Sequence, residues 1–321
     1  MKPSELIGGF FIRGTMNPFD YIRDPFGFGK RKLTNHSKSF DTRPNLQDLT
    51  VLVTGGSKGI GAALVDKLLA RGIQVVCVSR SVPNSSPKLI HMPLDLSEPS
   101  DLEKVVKDCP VLDGIVFNAG GMPQKEPTIC NSMDIDRLYL LHVLGPAWIT
   151  QQLIELEKLQ KESRVIVVTS GGALATPLNT EYMGKLTEPY DKIKQYAFHK
   201  RYQIHLVEYF EKIYSKKSCS FYSMHPGWVD TPGLSQGMPS FHKFTRPMLR
   251  EPKDGADTID WLICSENQES GRMYFDRRAI ETYPLFWVPR NPKSIMLFMH
   301  KLEKQLEEFN RVLGESRSEL I

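Results

Sequence analysis

Six short apolar runs recur along this chain: Leu49–Thr54, Gln74–Ser79, Leu89–Leu94, Gly114–Asn118, Arg164–Thr169 and Ser220–His225. Gly271–Asp276 reads as a seventh. Short runs of this kind are strands covered on both faces. Between them Ile60, Leu64 and Leu68 repeat at helical spacing up to Gly72, and further helical stretches cover 98–108, 134–158, 190–214 and 254–264. Strands alternating with helices predict an α/β domain with a doubly wound parallel sheet and right-handed crossovers. Ligands of such sheets lie at the carboxyl ends of the strands. The residues that close each run are therefore the ones to search for chemistry.

The flanks read differently. Residues 1–47 are aromatic, contain Pro and Gly, and are weakly periodic, as expected of an arm lying across the domain or a partner. The domain itself is expected over 48–290. Residues 291–321 form a C-terminal helical tail in which Ile295, Leu297, Phe298, Leu302, Leu306 and Phe309 make the stripe of a packed surface helix. Arm and tail are the surfaces through which a homo-oligomer or larger assembly would form. A net charge of +4 without a dense Lys/Arg block argues against a nucleic-acid partner. Cys77, Cys109, Cys130, Cys219 and Cys264 are widely spaced and fit no metal-ligand pattern, so no metal is expected and a reducing compartment is. No run approaches the length of a transmembrane helix. The first residues lack a secretory basic region and cleavage site, which predicts an intracellular protein, cytoplasmic or mitochondrial.

The first run ends Thr54-Gly55-Gly56-Ser57-Lys58-Gly59-Ile60-Gly61 and opens a helix. Glycines there let the backbone turn sharply and approach a pyrophosphate, and the helix N-terminus offers free N–H groups. Gly55, Ser57, Lys58, Gly59, Ile60 and Gly61 are the expected cradle. The second run ends Val78-Ser79-Arg80, where an acid in place of Ser79 would bind the ribose hydroxyl of NAD. Without that acid, Lys58 and Arg80 would draw a 2′-phosphate, which favours NADP(H). Tyr196 and Lys200, four residues apart, share a helix face, and a cation there would lower the phenol pKa from about 10. Tyr190 and Lys194 repeat the spacing. The later pair is preferred because Ile204 and Val207 continue its face, while Tyr190 directly follows Pro189 in the first turn. Ser170 closes the fifth run and can hydrogen-bond a substrate carbonyl. Asp95-Leu96, Asn118-Ala119-Gly120-Gly121 and the stretch from His225 to Pro232 close others.

Taken in order, these residues resemble the short-chain dehydrogenase/reductase family over roughly residues 48–280. The resemblance implies a Rossmann-type sheet. Thr54–Gly61 is similar to the family's TGxxxGIG, and Asn118, Ala119 and Gly120 to its NAG. Asp95, with Leu96 beside it, is similar to the adenine contact. Ser170, Tyr196 and Lys200 resemble the catalytic Ser, Tyr and Lys, and Pro226, Gly227, Val229 and Thr231 the segment that meets the nicotinamide. The stretch from His225 to Gly233, with Met238-Pro239, Gly255–Leu262 and Ser270-Gly271-Arg272, resembles an orphan branch of the family. One position departs: His142 stands where the family has an Asn that shapes a local kink and a water-linked proton relay to the Lys. His142 keeps the main-chain carbonyl, but its ring is expected to titrate near neutrality and oppose the Lys200 charge.

The resemblance implies hydride transfer between the nicotinamide of NADP(H) and a small-molecule carbonyl or alcohol. Tyr196 would be the general acid/base, Lys200 its modulator and Ser170 the polariser of the carbonyl. Leu174, Leu178, Tyr182, Trp228, Leu234, Met238 and Phe241 suggest a lipophilic substrate. The rival reading is a catalytically degenerate member kept as a nucleotide-binding or structural subunit of a larger assembly.

Overall fold

The computed structural model describes residues 39–122, 129–130, 134–214, 219–266 and 268–318, so the expected arm lies outside the described residues up to 38. One sheet has eight strands: β1 Thr50–Thr54, β2 Gln74–Val78, β3 Leu89–Met92, β4 Leu112–Phe117, β5 Leu159–Val168, β6 Ser220–Met224, β7 Met273–Phe275 and β8 Arg278–Ile280. Their order is β8-β7-β6-β5-β4-β1-β2-β3. All neighbours are parallel except β8, which runs antiparallel to β7. The strand order reverses between β1 and β4, and the crevice outside their carboxyl ends is where such sheets bind ligands.

The helices are α1 Gly59–Ala70, α2 Pro99–Asp108, α3 Gly145–Glu155, α4 Lys192–Tyr214, α5 Pro232–Gly237, α6 Pro239–Thr245, α7 Pro252–Gly255, α8 Asp257–Cys264 and α9 Pro292–Ser318. Side chains alternate across the strands and feed two cores. Val51, Val53, Val116 and Ile166 pack under α1 and α8 on one face. Leu52, Ile115, Val165 and Phe221 pack under α3, α4 and α9 on the other. All five cysteines are buried and none forms a disulfide among the described residues.

The stretch 134–158 is not one helix. A short antiparallel ribbon joins Ile129–Cys130 to Ile135–Asp136, then come a turn Arg137–Tyr139, a π turn Leu140–Leu144 and α3. The cause is Pro146, which has no N–H to bond the His142 carbonyl four residues back. The Gly145 amide reaches instead to the Leu140 carbonyl, five residues back, and widens the helix. The stretch 254–264 likewise divides into α7 and α8, and α4 starts at Lys192 rather than 190.

β8 carries no sequence signal of its own because its turn is Asp276-Arg277, with φ 48° and 59°, where Asn-Gly is the usual pair. Ion pairs hold it: Arg277 forks onto Asp257 at 2.7 and 2.6 Å, and Arg250 forks onto Asp276 at 2.5 and 2.9 Å. The stripe of α9 also needs one correction. Phe298, Leu302, Leu306 and Phe309 are buried in the main core and Ile295 is buried outside it, but Leu297 is 45% exposed. Trp148 Nε1 to Asn310 Oδ1 (2.7 Å) and Tyr139 OH to Gln305 Oε1 (2.6 Å) bond the helix to the turn and α3.

Candidate active site

The glycine cradle forms between β1 and α1. Gly55 and Gly59 have φ of 68° and 56°, a region that side chains disfavour. A Cβ on Gly61 would stand 2.2 Å from the Gly55 carbonyl oxygen, so only Gly lets α1 begin there. Thr54 Oγ1 accepts the amides of Asn118 (3.0 Å) and Ala119 (2.9 Å). The Asn118 amide group donates to the carbonyls of Thr54 (3.0 Å) and Gly55 (3.2 Å). These bonds fasten the end of β4 to the cradle. Thr231 closes the other side, its Cγ2 3.2 Å from where a Gly59 Cβ would be. A glycine-rich turn at the N-terminus of a twelve-residue helix fits a pyrophosphate.

At the ends of β2 and β3, Ser79 is buried and its hydroxyl donates to the Ser81 carbonyl at 2.8 Å. Arg80 is 78% exposed and lies 3.5 Å from Asp95 Oδ2. Burial works to raise the Asp95 pKa, but the Ser97 hydroxyl and amide and the Arg80 and Arg137 charges outweigh it and hold the carboxyl below its ordinary range. Lys58 is exposed at the cradle and Leu96 is buried.

Ser170, Tyr196 and Lys200 meet at the carboxyl end of β5. Ser170 accepts the Gly172 amide at 3.4 Å and is hydrogen-bonded to the Tyr196 phenol. Lys200 Nζ lies 5.4 Å from the Tyr196 ring centre and donates to the Val168 carbonyl (2.9 Å) and Gln203 Oε1 (3.0 Å). The expected lowering of the phenol does not appear. Burial pushes Tyr196 up to about 12, against a smaller opposing effect of the Ser170 bond. Burial brings Lys200 down to about 7. The second copy of the spacing goes elsewhere: Tyr190 precedes α4, and Lys194 lies over the rings of Tyr182 and Phe198.

His142 sits on the π turn, fully buried. Its Nε2 accepts the Gly121 amide at 3.3 Å and its ring meets Tyr196 edge-on at 6.1 Å. The expectation of titration near neutrality is overturned. Burial, then the Lys200 and His199 charges, hold His142 well below the ordinary imidazole range, so it is neutral at pH 7. Its main-chain carbonyl, released by Pro146, accepts Gln203 Nε2 at 2.9 Å. Gln203 thus bridges Lys200 to the His142 carbonyl with a single side chain. Sequence reasoning missed Gln203, although its position three residues after Lys200 places it on the same helix face.

After β6, Pro226 and Gly227 (φ 81°) turn the chain, Val229 is buried, and Thr231 Oγ1 caps α5 through the Leu234 amide at 3.2 Å. Trp228 and Phe241 pack edge-on at 5.2 Å. The apolar set named from sequence splits in two. Leu174 is fully buried in a core cluster, Leu178 packs on the main core, and Tyr182 packs there too, stacked on Phe198. Only Trp228, Leu234, Met238 and Phe241 belong to the segment after β6. Among the described residues no group of His, Cys, Asp and Glu is placed to hold a metal, and no helix is long and apolar enough to cross a membrane.

A family model described as short chain dehydrogenase matches residues 49–237. Dehydrogenase/reductase SDR family member 12 of Homo sapiens is 32% identical over 277 residues, 80% of this chain and 86% of that one. Two solved structures share the fold at 19% identity and a TM-score of 0.54. One is 3-ketoacyl-(acyl-carrier-protein) reductase from Brucella melitensis complexed with NADH, covering 71% of this chain and 96% of that one. The other is BdcA in complex with NADPH, covering 71% and 92%. The sheet order, the ordered motifs and the matched span agree: the chain belongs to the short-chain dehydrogenase/reductase family.

Proposed function

We propose that the chain is an NADP(H)-dependent oxidoreductase that reduces a lipophilic carbonyl or oxidises the matching alcohol. The observation that carries this is the Tyr196 phenol, bonded to Ser170 at the end of β5, with Lys200 one helical turn on and the glycine cradle across the crevice. When bound, the nicotinamide supplies or accepts the hydride. Gly55, Ser57, Lys58, Gly59, Ile60 and Gly61 would hold the pyrophosphate, Asn118, Ala119 and Gly120 would flank the ribose, and Pro226, Gly227, Val229 and Thr231 would face the nicotinamide. Tyr196, protonated at pH 7, is set to give a proton to the substrate oxygen, and Ser170 is set to hold that oxygen by a second hydrogen bond. Lys200, brought to about 7, gains or loses its own proton at little cost near neutrality.

Support for NADP(H) comes from the β2 and β3 ends. Ser79 puts no carboxylate there, and among the described residues the exposed Arg80 pairs with Asp95, an interaction weak enough for a phosphate to displace. Both Trp228 and Phe241, with Met122 packed against Gly237, give the mouth of the site its apolar side. The test is a fluorescence titration with NADPH and NADH, followed by NADPH oxidation over a panel of apolar and polar carbonyls. NADPH is expected to bind at least tenfold tighter, and Arg80→Asp to weaken NADPH while improving NADH. Equal affinities in the native protein overturn the cofactor assignment; binding without turnover of any carbonyl overturns the enzyme assignment.

A further inference from the structure

Behind His142 lies a buried chain of polar groups that the reaction does not call on. His142 Nδ1 is 3.2 Å from His199 Nδ1, and His199 Nε2 is 3.2 Å from Asp136 Oδ2. All three residues are 2% exposed or less. Gln195 packs beside them, its Oε1 accepting the Thr187 amide at 3.0 Å. That bond fixes the amide orientation and leaves Gln195 Nε2 to donate to Asp136 Oδ2 (2.9 Å) and the Lys185 carbonyl (3.0 Å). Asp136 Oδ1 caps the turn Arg137–Tyr139 by accepting the Leu138 amide at 2.9 Å.

The proton positions follow from these contacts alone. His142 Nε2 accepts from Gly121, so in a neutral ring the hydrogen is on Nδ1. Nδ1–H must then donate to His199 Nδ1. With that nitrogen an acceptor, His199 carries its hydrogen on Nε2. Gln195 Nε2, 3.1 Å away, is itself a donor and cannot accept it, so His199 donates to Asp136. Each ring has one assignment, and the carboxylate sets both.

We propose that Asp136 and His199 are positioning residues that lock His142 in its Nδ1–H tautomer, so that its bare Nε2 holds the Gly121 amide and fixes the Asn118–Gly121 turn against the cofactor cradle. That turn abuts both sides of the site: Ala119 Cα is 2.9 Å from where a Gly55 Cβ would stand, and Lys200 Nζ 3.8 Å from a Gly120 Cβ. Among the described residues, the other groups facing the chain are the Tyr196 phenol and Lys200 at His142, Tyr139 and Tyr202 at His199, and Tyr190 near Asp136. The Tyr139 and Tyr202 hydroxyls are turned to Gln305 Oε1 and the Asn179 carbonyl, and Lys200 is a donor. In the opposite tautomer His142 would present N–H to N–H at Gly121, and the turn would be released.

The proposal assumes the cofactor site argued above, and its test separates the two. Asp136→Asn keeps the shape and the cap of Leu138 but presents an NH2 to His199 Nε2. His199 must then carry its hydrogen on Nδ1, His142 on Nε2, and the Gly121 bond is lost. Nitrogen-15 NMR of histidine-labelled protein reads the tautomers directly, without cofactor. We expect His142 Nδ1–H in the native protein and Nε2–H in Asp136→Asn, with NADPH binding weakened roughly tenfold, the loss of one hydrogen bond. His199→Asn, whose Oδ1 replaces the Nδ1 acceptor, should keep the native tautomer and affinity, whereas His199→Leu should lose both. A native His142 in the Nε2–H form, or an Asp136→Asn protein with unchanged tautomers, overturns the proposal. Inverted tautomers with unchanged NADPH affinity overturn the link to the turn. Native tautomers in a protein that binds no nucleotide refute the cofactor site and with it this role, while leaving the proton assignment standing.

Discussion

Lys200 Nζ donates to the Val168 carbonyl at 2.9 Å, which ties the middle of α4 to the last residue of β5. The acceptors of this ammonium are a carbonyl and an amide, not a carboxylate, and its burial brings it from 10.5 to about 7. Between those values the unfolded chain binds more protons than the folded one, so this group makes stability rise with pH. From about pH 7 to pH 8.5 the gain should be on the order of 1–2 kcal/mol. Lys200→Met should remove it, and urea denaturation of both proteins at the two pH values is the check. Parallel pH dependences would show that Lys200 keeps an ordinary pKa.

Tyr196→Phe should lower turnover by about 10²- to 10⁴-fold and leave NADPH affinity within about threefold, because only the proton-transfer group is lost. Tyr190→Phe should leave turnover unchanged, since Tyr190 lies before α4 and it is Tyr196 that Ser170 acts on. Steady-state kinetics and cofactor titration on the two variants decide it. The reverse pattern would move the site to the other end of the helix.

Gly61→Ala drives a methyl group to 2.2 Å from the Gly55 oxygen and 2.5 Å from Asn118 Nδ2. Both neighbours are fixed by hydrogen bonds, so α1 must shift. We expect a loss of about 1–3 kcal/mol in stability, together with most of the cofactor affinity. Gly233→Ala, with its nearest neighbour 4.0 Å away, should stay within about 0.5 kcal/mol. Equal melting temperatures for the two variants would refute the cradle geometry.

On α9, Phe298→Ala should cost about 3–5 kcal/mol and Leu297→Ala less than about 0.5 kcal/mol. Phe298 is fully buried against Tyr202, while its neighbour faces water. Denaturant melts of the pair test which way the helix is rotated.

Much of this was readable beforehand, because buried parallel strands are continuous apolar runs and glycine is required where backbones crowd. The runs at β1, β2, β4, β5 and β6 therefore appear at their places to within a few residues. What escaped notice has a physical reason in each case. The π turn depends on the absence of one N–H at Pro146, which no hydrophobic period records. β8 depends on ion pairs from Asp257 and Arg250, distant in sequence. Tyr196 and Lys200 were found by spacing, but their protonation depends on burial, which spacing does not encode. His199, Gln195 and Gln203 belong to no motif, and only the fold turns that face of α4 toward His142 and the end of the ribbon.

The Asp276-Arg277 turn also bears on how the molecule avoids sticking to itself. β7 is three residues long and would otherwise present its outer amides and carbonyls to any passing strand. β8 covers them, and its own outer side shows the exposed, charged Arg278. This guard is held by guanidinium–carboxylate forks instead of glycine, so its grip depends on charge. Breaking both forks with Asp257→Asn and Asp276→Asn would loosen the hairpin. Self-association through the uncovered edge, seen as light scattering of the doubly substituted protein while helical signal persists, is the expected first sign.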